Sequence, residues 1–100
     1  MSHSIIWQFT VAPDNCEAFE AGYRPDGPWA ALFAQAEGFI ETQLLKDAEQ
    51  PGVYLTIDRW ASPQAFDRFK SEHAIPYAAL DASFDGLAAT ERRIGAYHHV

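Results

Sequence analysis

Apolar and polar positions alternate with a period of two along Ile5-Ile6-Trp7-Gln8-Phe9-Thr10-Val11. Ile5, Trp7, Phe9 and Val11 share one side, and Gln8 and Thr10 the other. This pattern predicts a strand, and Pro13 stops it. Asp14 and Glu17, three residues apart, have the makeup of a capping box opening a helix. Cys16, Phe19 and Tyr23 then recur at helical spacing. The helix is interrupted at Arg24-Pro25-Asp26-Gly27-Pro28, where Pro28 is suited to restart it from a first-turn position. Trp29, Leu32, Phe33 and Ala36 form the stripe of the second piece, which Gly38 ends.

Two further strands are predicted, Phe39 to Lys46 and Val53 to Trp60. The loop Asp47-Ala48-Glu49-Gln50-Pro51-Gly52 between them has hairpin chemistry. In the later strand Val53, Leu55 and Ile57 alternate with Tyr54, Thr56, Asp58 and Trp60. Ser62-Pro63 supplies an N-cap and a first-turn proline. Phe66, Phe69, His73, Tyr77 and Leu80 follow near one helical stripe, with a break expected near Pro76. Asp81 to Glu91 reads as irregular or weakly helical, and Ile94 to Val100 as a last strand.

The order strand-helix-strand-strand-helix-strand is the split βαβ pattern. It predicts one α+β domain over residues 1–100, a ferredoxin-like four-stranded antiparallel sheet with its helices on one face. The opposite face is expected to show Ile6, Gln8, Thr10, Tyr54, Thr56, Asp58 and Trp60. That mixture is too apolar for water, and a second copy of the sheet would cover it, so a homodimer is expected.

Composition narrows the function classes. Forty-eight per cent of the 100 residues are hydrophobic and 14% aromatic, enough for a core without staples. A net charge of −7 repels phosphates, so neither nucleic acid nor an anionic membrane is an expected partner. The single cysteine, Cys16, builds neither an internal disulfide nor a multi-thiolate metal site. Met1-Ser2-His3-Ser4 has no basic segment followed by an apolar run, and no stretch approaches membrane-spanning length; the cytoplasm is the expected location.

Several short motifs come in a recognisable order. They are Tyr23-Arg24-Pro25-Asp26-Gly27-Pro28-Trp29, Gly38-Phe39, Leu44-Leu45-Lys46-Asp47, Tyr54-Leu55-Thr56-Ile57-Asp58-Arg59-Trp60-Ala61-Ser62, Phe66 with Phe69, Tyr77 with Leu80-Asp81, and Ile94-Gly95. Their order and spacing resemble the antibiotic biosynthesis monooxygenase (ABM) family across nearly the whole chain. The resemblance implies a dimeric α/β barrel, with a pocket between each sheet and its own helices. It also implies one of several chemistries: cofactor-independent oxygenation of aromatic polyketides, haem degradation or quinol oxygenation. The haem-degrading members use an Asn on the first strand and a Trp and a His on the second helix. The matching positions here are Trp7, Phe69 and Ala79, and none agrees.

His73 is the candidate base. It interrupts an apolar stripe, and an imidazole titrates near neutrality; the alternative is a histidine held in a local hydrogen bond. Tyr23, Trp29, Phe33, Phe66, Phe69 and Tyr77 are candidates to line a flat apolar slot, or else to be plain core. Of these, Tyr23, Trp29, Phe33, Phe69 and Tyr77 are taken as substrate-binding. Asp58, Arg59 and Trp60 read as an ion pair or dimer contact. His3 is expected near His98 or His99, but without a spaced carboxylate set no metal is assigned. No phosphate-binding or dinucleotide fingerprint is present, and no cofactor is expected. The resulting expectation is a cofactor-independent monooxygenase on a small electron-rich aromatic such as a quinol, an anthrone or a polyketide-like phenol. The alternative is a non-catalytic ligand-binding or sensor dimer of the same fold.

Overall fold

The alternation at the amino end folds as strand β1 (His3–Thr10), and a short 3-10 turn (Pro13–Asn15) leads into α1 (Cys16–Tyr23). There follow α2 (Pro28–Phe33), β2 (Phe39–Lys46), β3 (Val53–Trp60), α3 (Pro63–Glu72), α4 (Ala74–Ser83) and β4 (Thr90–His98). This computed structural model describes residues 2–100, and Met1 lies outside them. The four strands form one antiparallel sheet in the order β2-β3-β1-β4. The ferredoxin-like α+β architecture is therefore the one the element order predicts.

Local chemistry explains most boundaries. Pro28 opens α2, and Ser62 Oγ accepts a hydrogen bond from the Ala65 amide at 3.1 Å to cap α3. The capping box at Asp14 and Glu17 does not form. Asp14 is taken up by the 3-10 turn, and the N-cap of α1 is Asn15, whose side chain makes no capping bond. The expected break near Pro76 falls at His73, where φ −117° and ψ 28° separate α3 from α4. Pro76 instead sits in the first turn of α4, where its missing N–H is not needed. The last strand starts at Thr90 rather than Ile94. Thr90 pairs with Thr10, and a bulge beside Ile6 and Trp7 absorbs Ile94. Gly52 adopts φ +79°, and a Cβ there would run into the Val11 carbonyl, so the hairpin return requires glycine.

Register corrects the expected faces. β1 and β3 pair Phe9 with Tyr54, Trp7 with Thr56, Ile5 with Asp58 and His3 with Trp60. Residues directly opposite each other project to the same side. Tyr54, Thr56, Asp58 and Trp60 therefore lie beneath the helices with Ile5, Trp7 and Phe9. Trp60 and Tyr54 are buried in the core, not held out to a partner. The outer face instead carries Ile6, Leu55 and Ile57, half-buried along its centre, with Leu45 and Tyr97 exposed to either side.

Two apolar clusters seat the helices. One gathers Ile5, Trp29, Leu32, Phe33, Ala65 and Phe69 around Trp60, and the other gathers Phe9, Val11, Phe19 and Tyr54. The Tyr54 hydroxyl donates to Glu20 at 2.5 Å, with Lys46 Nζ at 3.5 Å from the same carboxylate, which ties α1 to the sheet. Trp7 and Tyr23 pack against both clusters. Among the described residues, no helix is long and apolar enough to cross a membrane.

Candidate functional site

A cavity of about 260 Å³ opens between sheet and helices, lined from both clusters. Its floor is the alternating inner face of the sheet: Trp7 and Phe9 of β1, Thr56 and Asp58 of β3, and Thr42 of β2. Tyr23 of α1, Trp29 and Phe33 of α2, and Tyr77 and Asp81 of α4 roof it, with Glu91 of β4 at the side. The aromatic walls are mutually braced. Trp29 meets Tyr77 edge-on at 5.3 Å between ring centres, Phe33 at 5.9 Å and Tyr23 at 6.1 Å. This is the lining that suits a flat apolar guest oriented by a few polar groups.

Asp58 supplies the leading polar group. Part of its surface remains open, yet its carboxyl is largely enclosed, and burial pushes its pKa up from 3.8 to about 6. The Thr42 hydroxyl donates to Asp58 Oδ1 and offsets part of that rise by favouring the carboxylate. The two phenols are shifted away from ionisation. Burial, with the charges of Glu91 and Asp81, pushes Tyr23 up to about 12. Tyr77 is raised by burial and by Asp81 and Asp58. Both hydroxyls therefore stay protonated at neutral pH and are available as hydrogen-bond donors. The Trp29 indole N–H is close enough to Tyr23 to moderate its shift but forms no hydrogen bond there. Glu91 is itself raised by burial and by Asp81 and Asp85.

Four of the expected ligand contacts, Tyr23, Trp29, Phe33 and Tyr77, come together on the cavity wall. Phe69 does not join them; it is buried behind the wall, 5.2 Å from both Phe33 and Trp60. His73 also lies outside the lining. Its ring stacks on Phe69 at 5.2 Å and 19°, at the residue where α3 gives way to α4. Its Nδ1 is buried without a partner. Asp58 makes no ion pair with Arg59. Arg59 points to the other side of the strand, 4.0 Å from Glu41 and hydrogen-bonded to Ser2. Floor residues Trp7, Phe9, Thr42, Thr56 and Asp58 escape sequence reasoning, along with Asp81 and Glu91. The available signal was a carboxylate alternating with Tyr54, Thr56 and Trp60 on a side bounded by aromatics.

His3 and His98 do meet, 5.3 Å between ring centres, and His99 Nε2 lies 2.8 Å from Ser4 Oγ. Among the described residues, no three His, Cys, Asp or Glu side chains are grouped to hold a metal ion.

The fold recurs in solved structures. A mutant of SnoaB, a cofactor-independent oxygenase from Streptomyces nogalater, is 22% identical with TM-score 0.77, covering 98% of this chain and 92% of that one. Rv0793 from Mycobacterium tuberculosis is 17% identical with TM-score 0.71, over 100% of this chain and 96% of that one. A conserved protein from Methanosarcina mazei Go1 is 12% identical with TM-score 0.74, over 100% and 94%. At these identities the likeness shows the fold. No curated protein matches the chain. The sequence itself matches the family described as antibiotic biosynthesis monooxygenase over residues 2–75, about three quarters of its length, and the chain belongs to that family.

Proposed function

We propose that this protein is a cofactor-independent monooxygenase acting on a small electron-rich phenol, with Asp58 as its base. The observation that carries the reading is a carboxyl of raised pKa on the floor of an aromatic-walled cavity. Family membership and the shared fold of the SnoaB oxygenase support it.

The chemistry balances without an external reductant. The Asp58 carboxylate takes the phenolic proton, and the phenolate passes one electron to dioxygen. The resulting aryloxyl radical and superoxide combine at the ring carbon para to the oxygen, forming a C–O bond. Protonated Asp58 returns its proton to the peroxide. It then removes the hydrogen from that same carbon as the O–O bond breaks, and the departing hydroxide takes the proton to leave as water. The net change is one phenol and one dioxygen to one quinone and one water, and Asp58 ends ionised. The aromatic walls hold the ring and keep bulk water away. Tyr23 and Tyr77 donate hydrogen bonds that stabilise the developing oxyanion.

The test is oxygen uptake and binding measured together on a panel of quinols, anthrones and naphthols. At least one member should consume one dioxygen per quinone formed, well above the rate in buffer. Ligands that bind without any uptake would instead make the protein a ligand-binding or sensor module.

The reading includes a homodimer, built through the outer face of the sheet. Ile6, Leu55 and Ile57 form an apolar strip there, flanked by Leu45, 46% exposed, and Tyr97, 50% exposed. Such a strip on two copies is self-complementary. Light scattering should give twice the 11.2 kDa of one chain. Ile57→Lys should shift the protein towards single chains while leaving its circular dichroism unchanged. A single-chain mass for the unmodified protein at micromolar concentration would remove the dimer.

A further inference from the structure

The cavity lining holds three carboxyl residues, Asp58, Asp81 and Glu91, and not one lysine, arginine or histidine. Asp58 lies on the floor, whereas Asp81 on the roof and Glu91 at the side are exposed to solvent. Their influence reaches the walls: both carboxylates raise Tyr23 and Tyr77, and Asp81 with Asp85 raises Glu91. Arg93, on the same side of β4, is outside the lining, and its charge is felt at His3. The nearby Arg24 faces Asp26 and the Glu20 carbonyl. Among the described residues, no cation lines the cavity to receive an anionic substituent of a guest.

We infer that the cavity selects its aromatic guest by charge, with the exposed carboxylates of Asp81 and Glu91 in its lining excluding rings that carry a carboxylate. The substrate class is then an uncharged hydroxylated aromatic, an ester or an unsubstituted ring rather than the free acid. Unpaired like charge against the wrong guest is an effective way to discriminate between molecules of nearly equal shape. Both carboxylates are exposed to solvent, so water and salt screen part of the effect. The inference rests on the same cavity being the binding site, but not on the oxidation itself.

The experiment is equilibrium binding at pH 7.5 and low salt of 6-hydroxy-2-naphthoate and its methyl ester. The ester should bind the unmodified protein at least about tenfold more tightly than the acid. Added salt should narrow that gap by screening. In the double variant Asp81→Asn, Glu91→Gln the two affinities should come within about threefold, mainly because the acid binds better. Equal affinities in the unmodified protein, or a gap that persists in the double variant, would overturn the charge selection alone. Binding of neither compound would overturn the cavity as a site, and the selection with it. Selective binding without oxygen uptake would leave this inference standing while removing the proposed oxygenation.

Discussion

Asp58→Asn should lower oxygen uptake by roughly a hundredfold or more while leaving the affinity for a neutral phenol almost unchanged. The amide keeps the size of the carboxyl and a hydrogen-bonding oxygen for Thr42, but it cannot take a proton. In the unmodified protein, activity should rise with pH through about 6 as Asp58 ionises. The same shift fixes a sign for stability. The folded value of about 6 lies above the ordinary 3.8. Between these values the native state keeps a proton that the unfolded chain has released, so stability falls as pH rises through that window. At pH 7 the deficit is on the order of 3 kcal/mol. Asp58→Asn should therefore be no less stable than the parent at pH 7, and close to it near pH 4. An inactive variant that had also lost its fold at pH 7 would mark Asp58 as a structural group.

Trp60→Ala should produce the largest loss of stability, about 3–5 kcal/mol. Trp60 is fully buried, and Phe33, Phe39, Phe66 and Phe69 all lie within 5.6 Å of it between ring centres. Removing the indole leaves a void bounded by rings held on the sheet and on two helices, which cannot collapse together without moving the helix layer. Against a typical net stability of about 5–15 kcal/mol, such a loss brings the domain near unfolding at ambient temperature. Urea denaturation reads it as a lower midpoint at similar slope. Trp60→Phe should be much milder, because the indole Nε1 is buried without a partner and its removal relieves that deficit. A Trp60→Ala loss below about 1 kcal/mol would mean that the helices are not seated on this residue.

The element order was legible because each strand and helix carries its own signal. Ser62-Pro63 caps a helix wherever it stands, and Gly52 turns a hairpin by its own backbone freedom. What the sequence withheld was phase. A period of two tells which residues of one strand share a side, but not which sides of two strands coincide. That depends on hydrogen-bonded register across some fifty intervening residues, and a slip of one residue exchanges the faces. Placing Tyr54 and Asp58 on the side of Ile6 rather than on that of Phe9 turned Asp58 outward and hid the cavity floor. Helical spacing carries His73 onto the stripe of Phe69, where its ring does stack, but does not tell which part of that stripe reaches the cavity. The roof of the cavity was readable because Tyr23, Trp29 and Phe33 flank a proline-glycine interruption visible in the sequence.

Gly22 lies in α1 with ordinary helical geometry, so the backbone would accept, and even favour, an alanine. Its constraint comes from the Phe84 ring, whose outer edge occupies the place of the missing Cβ. That ring in turn packs against Tyr23 and Trp29, two walls of the cavity, while lining none of it. Position 22 is thus a remote adjusting screw for the cavity. A methyl group there would push Phe84 against or off its neighbours and reshape the roof, giving an engineer a way to alter the cavity without changing any side chain that lines it.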